Sequence, residues 1–488
     1  MMPNFKDILT KVLKNKVILF IFSRYGTYVI HFVNSLFIAV YLGPYYLGVW
    51  GFITLVISYL NHLNFGVVHS VTAIISIHKD KEVYVQKVIG TAISILISLS
   101  IIVALCFAVN EVFNLNFGNK YYFSTYAPIV VFIAVLAHFN NLLSAIFRVY
   151  GRLFEIAFQQ TMLPLLLLCA IIFFRKDQLL WALVGANFLA FLAAFVLYVI
   201  KCPVKLKPIF NYDLFKTIQV KGWHLFIYNT SFFFIVISTR SFVSGFYSVE
   251  EFGYFTFAFT LANVMLLLLQ AFSYLITPKL LNRFASGNNS QNSIMLEQLR
   301  DAYVTTSHLL IHMAILIFPL FIVFFPQYDV ASEAFKLIAL AIVLYTNSFG
   351  YSGLLIAKGH EKPLGQVAFL ALAINVIVAF ILIKFFEVPF TLVIISTMVS
   401  YFIYVFILGF MGRKMLKLNT SFLAVLNDIY PLRLLLPYVL SLVFVLFVVP
   451  NYFFIGPLVL FLIFNFKVIL KLKTIVKAII SNPNFINI

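Results

Sequence analysis

The feature that most constrains this chain is an apolar stretch of roughly twenty residues, the length that crosses a bilayer core as a helix, which recurs fourteen times. The runs lie at 17–40, 47–76, 88–109, 125–147, 156–174, 179–200, 224–246, 254–277, 305–325, 336–357, 367–386, 390–411, 434–449 and 457–472. Hydrophobic residues make up 63% of the 488 and charged residues only 10%. A water-soluble core cannot hide that excess, because a soluble surface has to be covered with polar groups. The chain is therefore expected to be an all-α polytopic membrane protein of about fourteen spans, which excludes a cytosolic enzyme, a secreted disulfide scaffold and a disordered tail. The first run follows Lys6, Lys11, Lys14 and Lys16. It is too long for a signal-peptide core and lacks a small-residue cleavage site, so it reads as a retained span.

Lysine and arginine set the expected orientation, because they accumulate in cytoplasmic loops. With the N-terminus inside, 27 of the 34 fall in inner segments and only Lys120, Arg175, Lys176, Lys336 and Lys384 in outer ones. Both termini are then cytoplasmic. The net charge of +18 is spread over many loops, so it matches anionic lipid and not the concentrated basic stripe of a nucleic-acid site. The connectors around 201–223 and 278–304 are the longest on the inner side, and Ala285–Ser293 is strongly polar. The outer connections are too short for a catalytic domain. Cys106, Cys169 and Cys202 form no CxxC pair, so no metal framework, disulfide or cofactor site is expected.

The chain also repeats itself. YLGPYYLGVWGF (41–52) and FYSVEEFGYFTF (246–257) align at Gly48 and Gly253, an offset of 205 residues. FRVYGRLFE (147–155) and IAKGHEKPLG (356–365) align at Gly151 and Gly359, an offset of 208. Two anchors at nearly one offset predict two six-helix lobes of the same orientation, with two helices added. The expected domains are an N-lobe over 1–200, a linker over 201–223, a C-lobe over 224–411 and a C-terminal pair with a basic tail over 412–488.

Polar residues gather on one side of several spans. In the first, Arg24, Thr27, His31, Asn34 and Ser35 share an arc on the helical wheel. In the second, Thr54, Ser58, Asn61, His62, His69 and Thr72 do so, with Asn64 just beyond. Asn229, Arg240 and Ser244 align on the seventh, and Thr256, Thr260, Asn263 and Gln270 on the eighth. Ordinary hydrogen bonding between helices accounts for any single one of these. Four stripes on repeat-equivalent spans fit a wet cavity, because polar side chains facing hydrocarbon are costly. Arg24 and Arg240 stand out, since a guanidinium stays charged when buried and offers a planar fork to phosphate oxygens. All sixteen Asp and Glu fall in loops or at span ends by this assignment. The cavity residues expected from sequence are thus Arg24, His31, Asn34, Asn61, Asn64, His69, Asn229, Arg240, Asn263 and Gln270.

The glycine-centred segments YLGPYYLGVWGF and VEEFGYFTFAF, with the hairpins GRLFE and KGHEKP, resemble the polysaccharide flippases of the multidrug/oligosaccharidyl-lipid/polysaccharide exporter superfamily, nearest its O-antigen (Wzx-type) group. Phe22–Arg24 (FSR) also resembles the start of the superfamily's lipid II flippases. The resemblance implies two six-helix lobes around a central cationic cavity that opens alternately to the two membrane faces. It implies as substrate an oligosaccharide on undecaprenyl pyrophosphate, moved from the inner to the outer leaflet of a bacterial cell membrane for O-antigen or capsule synthesis. The implied partners are the lipid-linked oligosaccharide and the bilayer, with a polysaccharide polymerase and a chain-length regulator as candidate protein partners. Drug exporters of the superfamily often carry an acidic residue in the first lobe; this chain, whose acidic residues all fall in loops or at span ends by the assignment above, departs from that pattern. A cation-coupled multidrug exporter is the alternative within the superfamily. A membrane polymerase or glycosyltransferase is the alternative from another class, and it needs a catalytic base or long outer loop that the sequence does not offer. No enzyme activity is expected.

Overall fold

A computed structural model of the protein describes residues 16–286 and 289–481, and among them there is no strand. The chain divides into two compact units on either side of Phe226 and Ile227. The first holds α1 (Lys16–His62), α2 (Val67–His78), α3 (Glu82–Val112), α4 (Phe123–Val149), α5 (Leu153–Phe173), α6 (Lys176–Ile200) and the start of α7 (Tyr212–Phe246). The second holds the rest of α7, then α8 (Val249–Ser286), α9 (Asn289–Phe324), α10 (Ala331–Leu344), α11 (Tyr351–Ala357), α12 (Glu361–Lys384) and α13 (Ile395–Met415). It ends with α14 (Phe422–Ile429), α15 (Leu432–Leu446) and α16 (Ile455–Ser481).

Among the described residues ten helices are long and apolar enough to cross a membrane, or up to twelve if each of two bent pairs forms one span. At 47 residues α1 is more than one crossing, because that length is about 70 Å against a hydrocarbon core of about 30 Å. It breaks at Gly43, whose φ of 69° and ψ of 174° leave the helix, with Pro44 next. Each of the fourteen apolar runs falls mainly on helix. The protein is a multi-pass membrane protein.

The turns carry the repeat. After α4, Gly151 N donates to Arg148 O and Arg152 N to Phe147 O, with Gly151 at a φ of 71°. After α11, Gly359 N donates to Ile356 O and His360 N to Leu355 O, with Gly359 at 77°. Both are left-handed glycine caps that close helix carbonyls otherwise left without donors. The bonded positions correspond one by one at the offset of 208. The other anchor works differently: Gly48 and Gly253 lie inside helices. At the offset of 205, however, the break at Gly43 falls opposite Ser248. There Ser248 Oγ accepts from Glu251 N at 3.1 Å while Glu251 Oε2 accepts from Ser248 N at 2.9 Å. This reciprocal capping box starts α8.

Four stretches depart from the sequence expectation. The run 47–76 is not one helix. It breaks between α1 and α2, where Phe65 and Gly66 take φ values of 47° and 78° and Asn64 Oδ1 accepts from Gly66 N at 3.1 Å. The run 336–357 breaks at Phe349–Gly350, with a 41° bend. The connector 278–304 is helical at all its described residues, because α8 and α9 are both longer than a bilayer requires, and residues 287–288 lie outside the described residues. The linker 201–223 is half helical, since α7 begins at Tyr212.

That linker is fastened to the first unit. Val204 and Ile218 join a core built from Val71, Ile75, Val88, Ile89, Leu143 and Phe147. Ser70 Oγ donates to Ile218 O, and Ile209 N donates to Gly90 O at 3.2 Å. Gly66 and Gly222 meet backbone to backbone: a Cβ on Gly222 would lie 2.5 Å from Gly66 O and 2.3 Å from Ser70 Oγ. Only glycine allows that approach. Gly222→Ala is expected to destabilise the protein by about 1–3 kcal/mol through overpacking. A thermal unfolding scan of the detergent-solubilised variant checks this, and an unchanged midpoint would refute the close approach.

Candidate functional site

In the first unit the described polar side chains of α1 use most of their donors within the protein. Asn34 is 1% exposed, and its Nδ2 donates across to Pro164 O at 2.7 Å. Ser35 Oγ donates to His31 O, Thr54 Oγ1 to Gly51 O and Ser58 Oγ to Thr54 O. A hydroxyl that gives its proton to the backbone keeps only lone pairs to offer. Asn34 Oδ1 and Asn61 Oδ1 are both buried and accept no hydrogen bond from the chain. Asn34 is thus turned into the contact with α5 and is enclosed by protein in this conformation. His31 is half-buried, and the Arg24 side chain lies outside the described residues.

The second stripe is interrupted. Asn61 lies in the last turn of α1, Asn64 caps the break, and His69 is exposed on α2 beyond it. A single helical wheel cannot join residues across a break of four residues, so the wheel does not place Asn61 and His69 on one face. His62 Nδ1 lies 2.9 Å from Ser58 O, and His138 Nε2 lies 2.7 Å from Leu60 O. These two imidazoles help close backbone carbonyls near the break.

In the second unit Arg240 is 6% exposed. Its guanidinium carbon lies 4.8 Å from the centre of the Phe259 ring and 5.9 Å from that of Phe252. Both rings belong to α8, so α7 and α8 hold the cation against aromatic faces by cation–π attraction. The preceding residue fixes its placement. Thr239, Asn375 and Thr397 are fully buried. Asn375 Nδ2 donates to Ile235 O at 2.7 Å and Ser238 Oγ at 2.8 Å, and the Thr239 and Thr397 hydroxyls lie 2.7 Å apart. This polar knot pins α7 to α12 and α13. Asn229 is half-buried on α7, Asn263 Nδ2 donates back to Phe259 O at 2.8 Å, and the Gln270 side chain lies outside the described residues.

A charged cluster in the second unit was not anticipated from sequence. Arg300 of α9, 5% exposed, forms a two-pronged ion pair with Asp428 of α14. Arg413 of α13 lies 3.5 Å from the same carboxylate, and the Tyr351 hydroxyl donates to it. Beside it Arg433 donates to Asp301 Oδ1 at 2.7 Å and Asn465 Oδ1 at 2.8 Å. His308 Nε2 lies 2.9 Å from Asn347 Oδ1, and His312 Nδ1 lies 3.2 Å from Ser441 Oγ. These contacts fasten α14, α15 and α16 to α9. The signal available in the sequence was a lone Asp428 among basic residues, but its ion-pair partner Arg300 stands more than a hundred positions away.

No protein-family model matches the sequence, and no curated protein matches it either. Solved structures match its fold. The lipid II flippase MurJ in an inward closed conformation aligns with a TM-score of 0.68 at 14% identity, covering 95% of this chain and 100% of that one. An inward-facing multidrug resistance MATE family transporter of the MOP superfamily aligns with a TM-score of 0.64 at 13% identity, covering 81% of this chain and 98% of that one. The MATE multidrug transporter DinF-BH aligns at 0.58 and 14% identity, covering 84% and 97%. The chain has the MATE/MurJ fold.

Removing one partner of a buried ion pair leaves the other charge uncompensated, at about 3–5 kcal/mol. Asp428→Asn is therefore expected to lower the unfolding midpoint strongly. The Arg300→Met, Asp428→Leu double variant should lose less than the two single variants combined. Additive losses, measured in the same detergent, would mean that the two residues do not act as a pair.

Proposed function

We propose that the protein is a flippase that carries an undecaprenyl-pyrophosphate-linked oligosaccharide from the cytoplasmic to the outer leaflet by alternating access. The observation that carries this reading is the length of the likeness. The lipid II flippase fold accounts for 95% of this chain, and the two MATE transporters for 81% and 84%. Arg240 adds to it: a buried guanidinium set against rings keeps its charge and can meet a doubly anionic head. In this reading Arg24 receives the pyrophosphate at the cytoplasmic side and Arg240 holds it later in the cycle. Asn34, Asn61, Asn64, Asn263 and Gln270 meet sugar hydroxyls. The polyprenyl tail stays in lipid. The work is movement without covalent chemistry, in a bacterial cell membrane with both termini cytoplasmic.

Arg24→Ala and Arg240→Ala are each expected to cut surface polysaccharide export about tenfold or more, equivalent to at least 1.4 kcal/mol of lost binding in the cycle, at unchanged protein level. Lysine at either position should retain more activity than alanine. Full export by both alanine variants would end the proposal. Uptake of cationic dyes driven by the protein, with export unaffected by its deletion, would favour a multidrug exporter instead.

Cys202 offers a test of orientation. It lies in the connector between α6 and α7, and burial pushes its thiol up, while the Val204 backbone and Arg152 pull the other way. Less thiolate is then present at neutral pH. A membrane-impermeant maleimide is expected to label Cys202 only from the cytoplasmic side, slowly at neutral pH and faster as the pH rises. Labelling from outside would reverse the topology.

A further inference from the structure

The second unit contains a pocket of about 210 Å³ that the polar stripes do not include. Its walls come from α7, α8, α9 and α13 and from the break between α10 and α11. That break is not needed by the repeat. At the offset of 208 its counterpart is Asn141–Leu142, inside the uninterrupted α4. Gly350 turns the chain at a φ of 84°, and a Cβ there would lie 2.3 Å from Leu296 Cδ1. Non-helical backbone at membrane depth persists only where protein covers it or a cavity lies beside it. Here it opens the pocket.

The chemistry of the lining is specific. Tyr228, Phe232, Tyr303, Tyr345, Phe349 and Tyr404 give aromatic faces. Tyr303 and Phe349 stack at 4.0 Å, and Phe232 lies 5.3 Å from Tyr404 and 5.8 Å from Tyr345. Ser273, Thr346, Ser348 and Ser352 add hydroxyl groups to the lining. Thr346 Oγ1 donates to Val343 O at 2.6 Å and Ser348 Oγ to Tyr345 O at 3.0 Å, so toward the pocket they accept. None of the lining residues carries a charge. A pyrophosphate head finds no cation there. A ligand cation is opposed by the neighbouring cluster, where Arg300 and Arg413 share the single carboxylate of Asp428. What fits is a neutral ring with apolar C–H faces for the aromatics and several O–H donors for the acceptors. The volume is below the roughly 300–1,000 Å³ of pockets for drug-sized ligands, which selects a single ring.

We infer that this pocket binds one neutral sugar residue within the second unit, through ring faces and hydroxyl acceptors. Its place in transport, as a subsite for one residue of the lipid-linked oligosaccharide, rests on the flippase reading above. The pocket's ligand class stands on its lining.

The test uses the full-length protein in lipid nanodiscs, with methyl glucoside and methyl N-acetylglucosaminide as probes and saturation-transfer NMR as readout. Saturable binding of at least one glycoside is expected, with no displacement by tetramethylammonium. Gly353 lines the pocket, and a Cβ there meets only ordinary contacts, at 3.7 Å from Leu281 and 4.0 Å from Phe284. Gly353→Ala should therefore fold and bind, and Gly353→Leu should fill the space and abolish binding. Independently of that plug, Thr346→Val with Ser348→Ala should weaken binding about tenfold. No glycoside binding, binding indifferent to both the plug and the hydroxyl variants, or preferential binding of tetramethylammonium would each overturn the inference. Export measured on the same proteins separates the two readings. Glycoside binding without export of lipid-linked oligosaccharide removes the flippase reading and leaves the pocket. Export without glycoside binding removes the pocket and leaves the flippase.

Discussion

In the hydrocarbon of a bilayer a backbone amide has no water to turn to, so each departure from helix must be closed by the chain itself. The protein meets that constraint at a small number of places, and those places define its architecture. Asn64 accepts the Gly66 amide where α1 gives way to α2. His138 reaches the Leu60 carbonyl just before it. In the loops outside the hydrocarbon, left-handed glycines close α4 and α11 with the same pattern of bonds. Where the closing groups are small, two backbones come together, as Gly66 and Gly222 do. Where they are larger, as between α10 and α11, space remains.

The same shortage of water governs the polar side chains. Ser, Thr and Asn on the spans give their protons to nearby carbonyls and keep their lone pairs. Arginines find aromatic rings or a carboxylate. Arg240 takes the first solution and Arg300 the second. Arg240 lies against the Phe259 ring, and Arg300 is paired with Asp428 while lying over the Tyr351 ring.

Much of the fold was legible because its signals are local. A run of apolar residues and a glycine at a fixed offset are read within a short window, and Gly151 and Gly359 hold equivalent turns as that window suggested. The helix breaks were less legible. Nothing in LNFGVV (63–68) distinguishes a broken span from a helix with a tolerated glycine, because the deciding contact is Gly222, far away in sequence. The polar stripes were read as continuous faces for the same reason, and the break parts Asn61 from His69. The ion pair of Arg300 with Asp428 and the knot of Thr239, Asn375 and Thr397 were hidden by sequence distance. The pocket at Phe349–Gly350 was hidden because it arises where the two repeats differ.

The separation of Arg300 from Asp428 has a consequence for biogenesis. The partners stand 128 residues apart, so at about 5–20 residues per second the ribosome delivers the carboxylate roughly 6–26 s after the guanidinium. During that interval α9 carries a guanidinium whose carboxylate has not yet been made, and an unpaired charge is costly away from water. The native contact of α9 with α14 is therefore complete only after α14 has been synthesised.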